Sequence, residues 1–242
     1  MLFRSGCGLC AIAAPDFLTQ ALAGVVVENT LFPLEDDGAG IRYNKEQIEK
    51  LCAMTKCIAI GPGIGNGYGE IVKLIADLLS RDITLIIDAD GLNCLASNIS
   101  VLKGHKANVL VTPHPMEMAR LAGVSLDCVL DSPLQVASDF AKTYGVTVLL
   151  KGSATIVTDG SQTYIMIDGG PYLAKGGSGD VLTGVITGIA ARGFALAESA
   201  GAGAYICAAA GRRVSADIGE YGTLPSSVAR EVKRIASAYK IG

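Results

Sequence analysis

Four short runs constrain this chain more than any other feature: Cys57–Ile60, Thr84–Asp88, Asn108–Thr112 and Val146–Leu150. Each is apolar almost from end to end, where a half-exposed strand would alternate with polar residues. Strands of this kind belong in a sheet covered on both faces. Between them lie stretches with helical spacing of apolar residues, at Lys45–Thr55, Glu70–Leu79, Met116–Ala122 and Leu134–Tyr144. Strand, helix and strand alternating at this distance predict an α/β fold with a parallel sheet. Upstream, Leu9–Ala14 and Val25–Asn29 read as two further strands around a helix at Asp16–Ala23.

After Lys151 the rhythm changes. Ala154–Thr158 and Thr163–Ile167 read as strands split by Asp159-Gly160-Ser161-Gln162, a hairpin signal. Helical stretches follow at Asp180–Ala191, Leu196–Ala216 and Ser226–Tyr239. No linker, charge block or repeat interrupts the chain. Its 242 residues, half of them hydrophobic, suffice to enclose one core. Residues 1–242 therefore read as a single three-layer domain: a mostly parallel sheet, a small antiparallel extension and a helical C-terminus.

Composition excludes several classes. A net charge of −3, 5% aromatic residues and no tryptophan argue against nucleic acid and anionic membranes as partners. No apolar run reaches the roughly 20 residues of a membrane span. Met1–Pro15 imitates a signal peptide only faintly, because its apolar stretch is short and broken by Gly8. Of seven cysteines, only Cys7 and Cys10 form a C-x-x-C, and no second pair or nearby histidine completes a zinc site. Reduced thiols in a cytoplasmic protein, with no metal held by protein ligands, are expected.

Chemistry gathers where predicted strands end. Gly61-Pro62-Gly63-Ile64-Gly65-Asn66-Gly67 follows one strand and precedes a helix, the place where an open α/β sheet puts its ligand crevice. Asn66 breaks the dinucleotide fingerprint, so Gly63 and Gly65 mark either a close backbone–ligand approach or a tight turn. Asp88 and Asp90 end the next strand. They bind ligand hydroxyls, hold Mg²⁺ indirectly, or (Asp90) cap a helix. His114 is fixed between Pro113 and Pro115 at a third strand end, with Glu117 in the first turn of the following helix. It is either a site residue or a solvated one. Lys151-Gly152-Ser153-Ala154-Thr155 offers small residues, free N–H groups and a positive charge to a phosphate, or is simply a lysine leaving a strand.

The most glycine-rich of these stretches is Ala174-Lys175-Gly176-Gly177-Ser178-Gly179-Asp180, which runs into the apolar helix. A helix begins with unpaired N–H groups and a partial positive charge. A glycine loop feeding that end forms an anion site, here for a polyphosphate. Asp180 has two competing roles. As an N-cap it would stabilise the helix by about 1 kcal/mol. As a base it would take a proton from a substrate hydroxyl beside the bound phosphate. The adjacent glycines suit a close ligand better than a cap, which favours the base. No G-K-[ST] follows, so this is not a Walker loop.

Together, in chain order, GPGIGNG, DADGLN, TPHPMEMARL, LLKGSATIVTDG and AKGGSGDVLTGVITGIAARG make a sequence that resembles the ADP/ATP-dependent NAD(P)H-hydrate dehydratases, a branch of the ribokinase-like superfamily. The resemblance covers nearly the whole chain. It implies a ribokinase-like α/β/α sandwich that repairs hydrated NADH or NADPH by phosphorylating the ring hydroxyl from ADP or ATP and eliminating phosphate. It further implies Asp180 as catalytic base, Gly176, Gly177, Ser178 and Gly179 as the anion hole, and Lys151, Gly152, Ser153, Ala154 and Thr155 as nucleotide contacts. Gly63, Gly65, His114, Glu117 and Asp180 would meet the hydrated dinucleotide, Mg²⁺ would accompany the nucleotide, and the chain would form a homo-oligomer.

Three departures stand out. Met116 replaces a usual Gly, and Lys175 a common Thr; Lys175 is expected to add positive charge beside the anion loop. Family members also carry a first strand, a glycine-rich turn and most of a helix before a segment like Arg4-Ser5-Gly6-Cys7-Gly8-Leu9. Met1 falls inside that helix, which implies either a start within a longer gene or an incomplete substrate site. Two rival functions follow: a kinase for a vitamin precursor on the same scaffold, or a nucleotide-binding protein without turnover.

Overall fold

The computed structural model describes residues 2–65 and 68–238, so the predicted Asn66, Gly67 and Tyr239 positions lie outside the described residues. A 3-10 turn (Leu2–Ser5) opens the chain, followed by β1 (Ala11–Pro15), α1 (Asp16–Ala23) and β2 (Thr30–Leu34). The main body then alternates α2 (Lys45–Met54), β3 (Cys57–Ile60), α3 (Tyr68–Leu79), β4 (Thr84–Ile87), α4 (Asp90–Ala96) and β5 (Asn108–Val111). Three helices, α5 (Pro115–Ala122), α6 (Leu126–Asp131) and α7 (Pro133–Tyr144), lead to β6 (Thr147–Leu150). The hairpin β7 (Thr155–Thr158) and β8 (Thr163–Met166) precedes α8 (Ser178–Ala190), α9 (Leu196–Ile218) and α10 (Pro225–Ala238).

The six-stranded sheet has the order β3-β4-β5-β6-β7-β8. Its first four strands are parallel, and β7 and β8 run antiparallel. This is the mostly parallel α/β architecture with one antiparallel extension that the sequence implies. Side chains alternate between the two faces. Leu85, Ile87, Val109, Val111, Val148 and Leu150 enter one core with residues of α2 to α7. Ile86, Leu110, Leu149 and Val157 enter a second with Ile186 of α8 and Ala200 and Ala204 of α9. Burying each large aliphatic side chain contributes about 1.5–3 kcal/mol, which is why the central strands carry no alternating polar residues. A third cluster joins α8, α9 and α10 through Val185, Ile206 and Val232. Among the described residues, no helix is long and apolar enough to cross a membrane.

The N-terminal unit differs from expectation. Its strands pair in parallel with each other and form a separate two-stranded sheet. The second strand is Thr30–Leu34, not Val25–Asn29. Val25 and Val26 bond back to the Leu22 carbonyl and extend the end of α1, and Val25 and Val27 stand in solvent. A β-branched run does not make a strand where the backbone is still closing a helix. The helices α4 and α6, of seven and six residues, are too short to leave a periodic signature and are additions to the sequence reading.

Candidate active site

The parallel strands β3 to β6 end along one edge, so the segments that follow them stand side by side. Gly61, after β3, has φ +124, and a side chain there would collide with the Asp88 carbonyl after β4. Only glycine allows the two strand ends to approach this closely. Beyond it, Gly63 and Gly65 face open space. The Gly65 N–H donates to Asp90 Oδ2 over 3.1 Å. Asp90 therefore ties down the glycine turn and does not cap α4. The N-cap of α4 is Ala89, with no side-chain cap and a φ of 49°, the lone positive value outside glycine among the described residues.

Asp88 lies at the centre and is 1% exposed. Its Oδ1 accepts from Lys151 Nζ at 2.9 Å and its Oδ2 from Thr183 Oγ1 at 2.6 Å. Burial pushes its carboxyl up, but the Lys151 ammonium and the hydroxyls of Thr183 and Thr112 outweigh that and hold it below the ordinary carboxylate value. With both oxygens engaged, Asp88 positions Lys151 and anchors α8 to the sheet. Lys151 also lies 3.8 Å from Glu117 Oε2. Glu117 accepts from the His114 backbone N–H at 2.7 Å, while His114 Nδ1 accepts from the amides of Met116 and Glu117, a reciprocal cap on α5. The hydrogen-bond pattern assigns the ring proton to Nε2, on a side chain 48% exposed. His114 thus caps α5, and its Nε2 lies 3.4 Å from Glu117 Oε1.

The glycine-lined start of α8 reaches the same cluster. A methyl group on Gly179 would stand 3.6 Å from Lys151 Nζ and 3.7 Å from Asp88 Oδ2. The N-cap of α8 is Gly177, at φ 92°, which removes the capping role considered for Asp180. Asp180 sits third in the helix, exposed, with no hydrogen bond or ion pair among the described residues. The amides of Gly176, Gly177, Gly179 and Asp180 donate to no protein acceptor among the described residues, whereas Ser178 N–H returns to the Lys175 carbonyl. Free amides and a helix end at one point favour an anion.

Lys175 has a structural role beyond the charge expected of it. Its ammonium donates to the carbonyls of Glu220, Tyr221 and Thr223 at 3.0, 2.9 and 2.7 Å. An ammonium has three donors, and all are taken. It secures the α9–α10 connection and has no donor left for a ligand of the loop.

The remaining candidates lie on the short turn between β6 and β7. Gly152 and Ser153 are exposed, and Ala154 and Thr155 half-buried. The antiparallel return of β7 brings Thr155 back to this edge. Thr183 and Thr112 are the residues the sequence reading missed. Thr183 had one available signal: a polar residue isolated in the apolar run Val181-Leu182-Thr183-Gly184-Val185. No group of three or more His, Cys, Asp or Glu side chains forms a metal site among the described residues, and the seven cysteines are free.

Comparison with known proteins points to one family. A family model described as NAD(P)H-hydrate dehydratase matches residues 2–234. A bifunctional NAD(P)H-hydrate repair enzyme of Moorella thermoacetica is 35% identical over 223 residues, covering 90% of this chain and 42% of that protein. The chain spans 37–44% of the length of three bifunctional relatives it matches. An ADP-dependent (S)-NAD(P)H-hydrate dehydratase of Cenarchaeum symbiosum is 31% identical over 209 residues, 86% of this chain and 71% of that protein. In fold, the ADP/ATP-dependent NAD(P)H-hydrate dehydratase of Bacillus subtilis co-crystallised with ATP and Mg²⁺ superposes with a TM-score of 0.80 at 23% identity, over 99% of this chain and 82% of that one. With the profile matching almost every residue and the motifs converging on one sheet edge, this chain belongs to the NAD(P)H-hydrate dehydratase family.

Proposed function

We propose that this chain dehydrates hydrated NADH or NADPH in a nucleotide-dependent reaction and returns the intact dinucleotide. The observation that carries the reading is the start of α8: a carboxylate, Asp180, beside four amides, with no side-chain partner for the one and no acceptor for the others among the described residues. ADP or ATP supplies the phosphoryl group that converts the ring hydroxyl into a better leaving group. The amides of Gly176, Gly177, Gly179 and Asp180 hold the oxygens of that group, with Ser178 completing the loop through its bond to the Lys175 carbonyl, and Lys151 adds positive charge from the Asp88 pair below. Asp180 takes the proton of the ring hydroxyl. Positioning and charge stabilisation of this kind are the main demands of phosphoryl transfer.

Gly152, Ser153, Ala154 and Thr155 border the nucleotide in this reading, next to Lys151. Gly63 and Gly65, with their open backbone, and the half-exposed ring of His114 receive the hydrated dinucleotide, and Glu117 holds that histidine. Mg²⁺ fits a site with few protein carboxylates to spare, since it takes most of its ligands from phosphates and water; it would enter on the nucleotide and shield its charge. The chain acts as one unit over residues 1–242, as a cytoplasmic homo-oligomer.

The test is spectroscopic. NADH hydrate incubated with ADP, Mg²⁺ and the protein should regain the absorbance of NADH. Asp180→Asn should abolish recovery with an unchanged fold by circular dichroism. Full turnover by that variant would remove Asp180 from the base role, and a stable phosphorylated product would make the chain a kinase.

A further inference from the structure

The glycine loop has little intrinsic stiffness, because Gly176, Gly177 and Gly179 leave its backbone free. Its order must come from what surrounds it. One neighbour is the α9–α10 connection, residues 219–224. Pro225, which opens α10, packs over Gly177, where an added methyl would lie 3.5 Å from the proline Cγ. The other link is Lys175, directly before the loop, whose ammonium gathers the carbonyls of Glu220, Tyr221 and Thr223 within 3.0 Å. Within that connection, Thr223 is fully buried and its Oγ1 donates to the Gly219 carbonyl.

We infer that Lys175 is a positioning residue: its ammonium acts as a tethered cation that locks the α9–α10 connection to the anion loop and so fixes the amides that grip a phosphate. Three carbonyl oxygens converging on one charged donor form strong, directional bonds. They would otherwise face one another without a shared partner. The carbonyl of Lys175 itself receives the Ser178 N–H, so one residue holds the connection by its side chain and the loop by its backbone. This inference rests on the phosphate-binding reading of the loop, and the experiment separates the two.

The experiment compares wild type, K175A and K175R by amide hydrogen exchange and by calorimetric binding of ADP. Each is run with ammonium chloride and with tetramethylammonium chloride at equal ionic strength. In K175A the bonded amides of Ser178 and Val181 at the start of α8, of Thr223 in the connection and of Ser227 at the start of α10 should each lose protection about tenfold, and ADP should bind about tenfold more weakly. Ammonium, which can enter the vacated cradle, should restore both, and tetramethylammonium, which has no donor, should not. K175R should stay loose, since a planar fork cannot send three donors to one point. K175M, which keeps the stem, carries the exchange comparison if K175A does not fold.

The inference is overturned if the connection loosens while Ser178 and Val181 stay protected, if ammonium restores nothing, or if K175R equals wild type. Should ADP bind none of the proteins, the nucleotide reading fails, and the exchange data still decide whether Lys175 couples the two segments.

Discussion

Two parallel β-α-β units occupy one chain in different circumstances. In β3-α3-β4 the helix buries Ile71, Leu74, Ile75, Leu78 and Leu79, and β4 is covered on both faces. In β1-α1-β2 the helix buries nothing, and Phe17, Leu18, Val25 and Val27 are exposed. That unit reaches a core mainly through Leu34 and Phe32 of β2. The backbone pattern is the same, so hydrogen bonding does not distinguish them. Cover does: parallel pairing is stable when side chains leave water on both faces. The candidate site residues follow the covered unit, as expected of a site that needs strands that cannot shift.

The comparison can be tested at four positions. The largest effect should come from Ile86→Ala in β4, at 0% exposure, which should cost about 4 kcal/mol in denaturant unfolding. Asp88→Asn should come next. It leaves Lys151 facing a neutral amide and should cost about 3 kcal/mol at neutral pH. Because the Asp88 carboxyl is held low in the folded chain, its contribution is complete above about pH 4 and is lost as pH falls through the lowered value. The variant should accordingly flatten the fall of stability in acid, as followed by melting temperature against pH. Ala89→Gly should act in the opposite direction, stabilising by about 1 kcal/mol, since it relieves a backbone conformation that suits glycine. Leu18→Ala in α1 should change stability by about 0.5 kcal/mol or less. A loss as large as that at Ile86 would mean that α1 is covered in solution by another surface, and the contrast would dissolve.

Much of the fold was legible because burial writes itself into sequence. The strands β3 to β6 appear as apolar runs since neither face meets water, and the hairpin is marked by Asp159-Gly160-Ser161-Gln162. Val25–Asn29 misled because its composition suits a strand while its backbone belongs to the end of a helix. Candidate site residues were chosen by residue type at strand ends, and their partners were not visible. Asp88 meets Lys151 across 63 positions and Thr183 across 95, separations at which no local pattern exists. Lys175 shows the same limit from the other side: its charge was visible, but its direction depends on carbonyls 45 to 48 residues away. The capping role weighed for Asp180 fell to one backbone position, Gly177 at positive φ, which takes the N-cap of α8.

The reversal at β7 has a practical corollary. Since β7 and β8 run out and back, their tip at Asp159–Gln162 sits at the far end of the sheet from Lys151 and is cross-linked by its own aspartate, whose Oδ1 receives Ser161 and Gln162. A dye, tether or epitope grafted at that tip would ride on a stiff lever while remaining remote from the reaction, giving the molecule a ready attachment point for surface immobilisation or distance measurements.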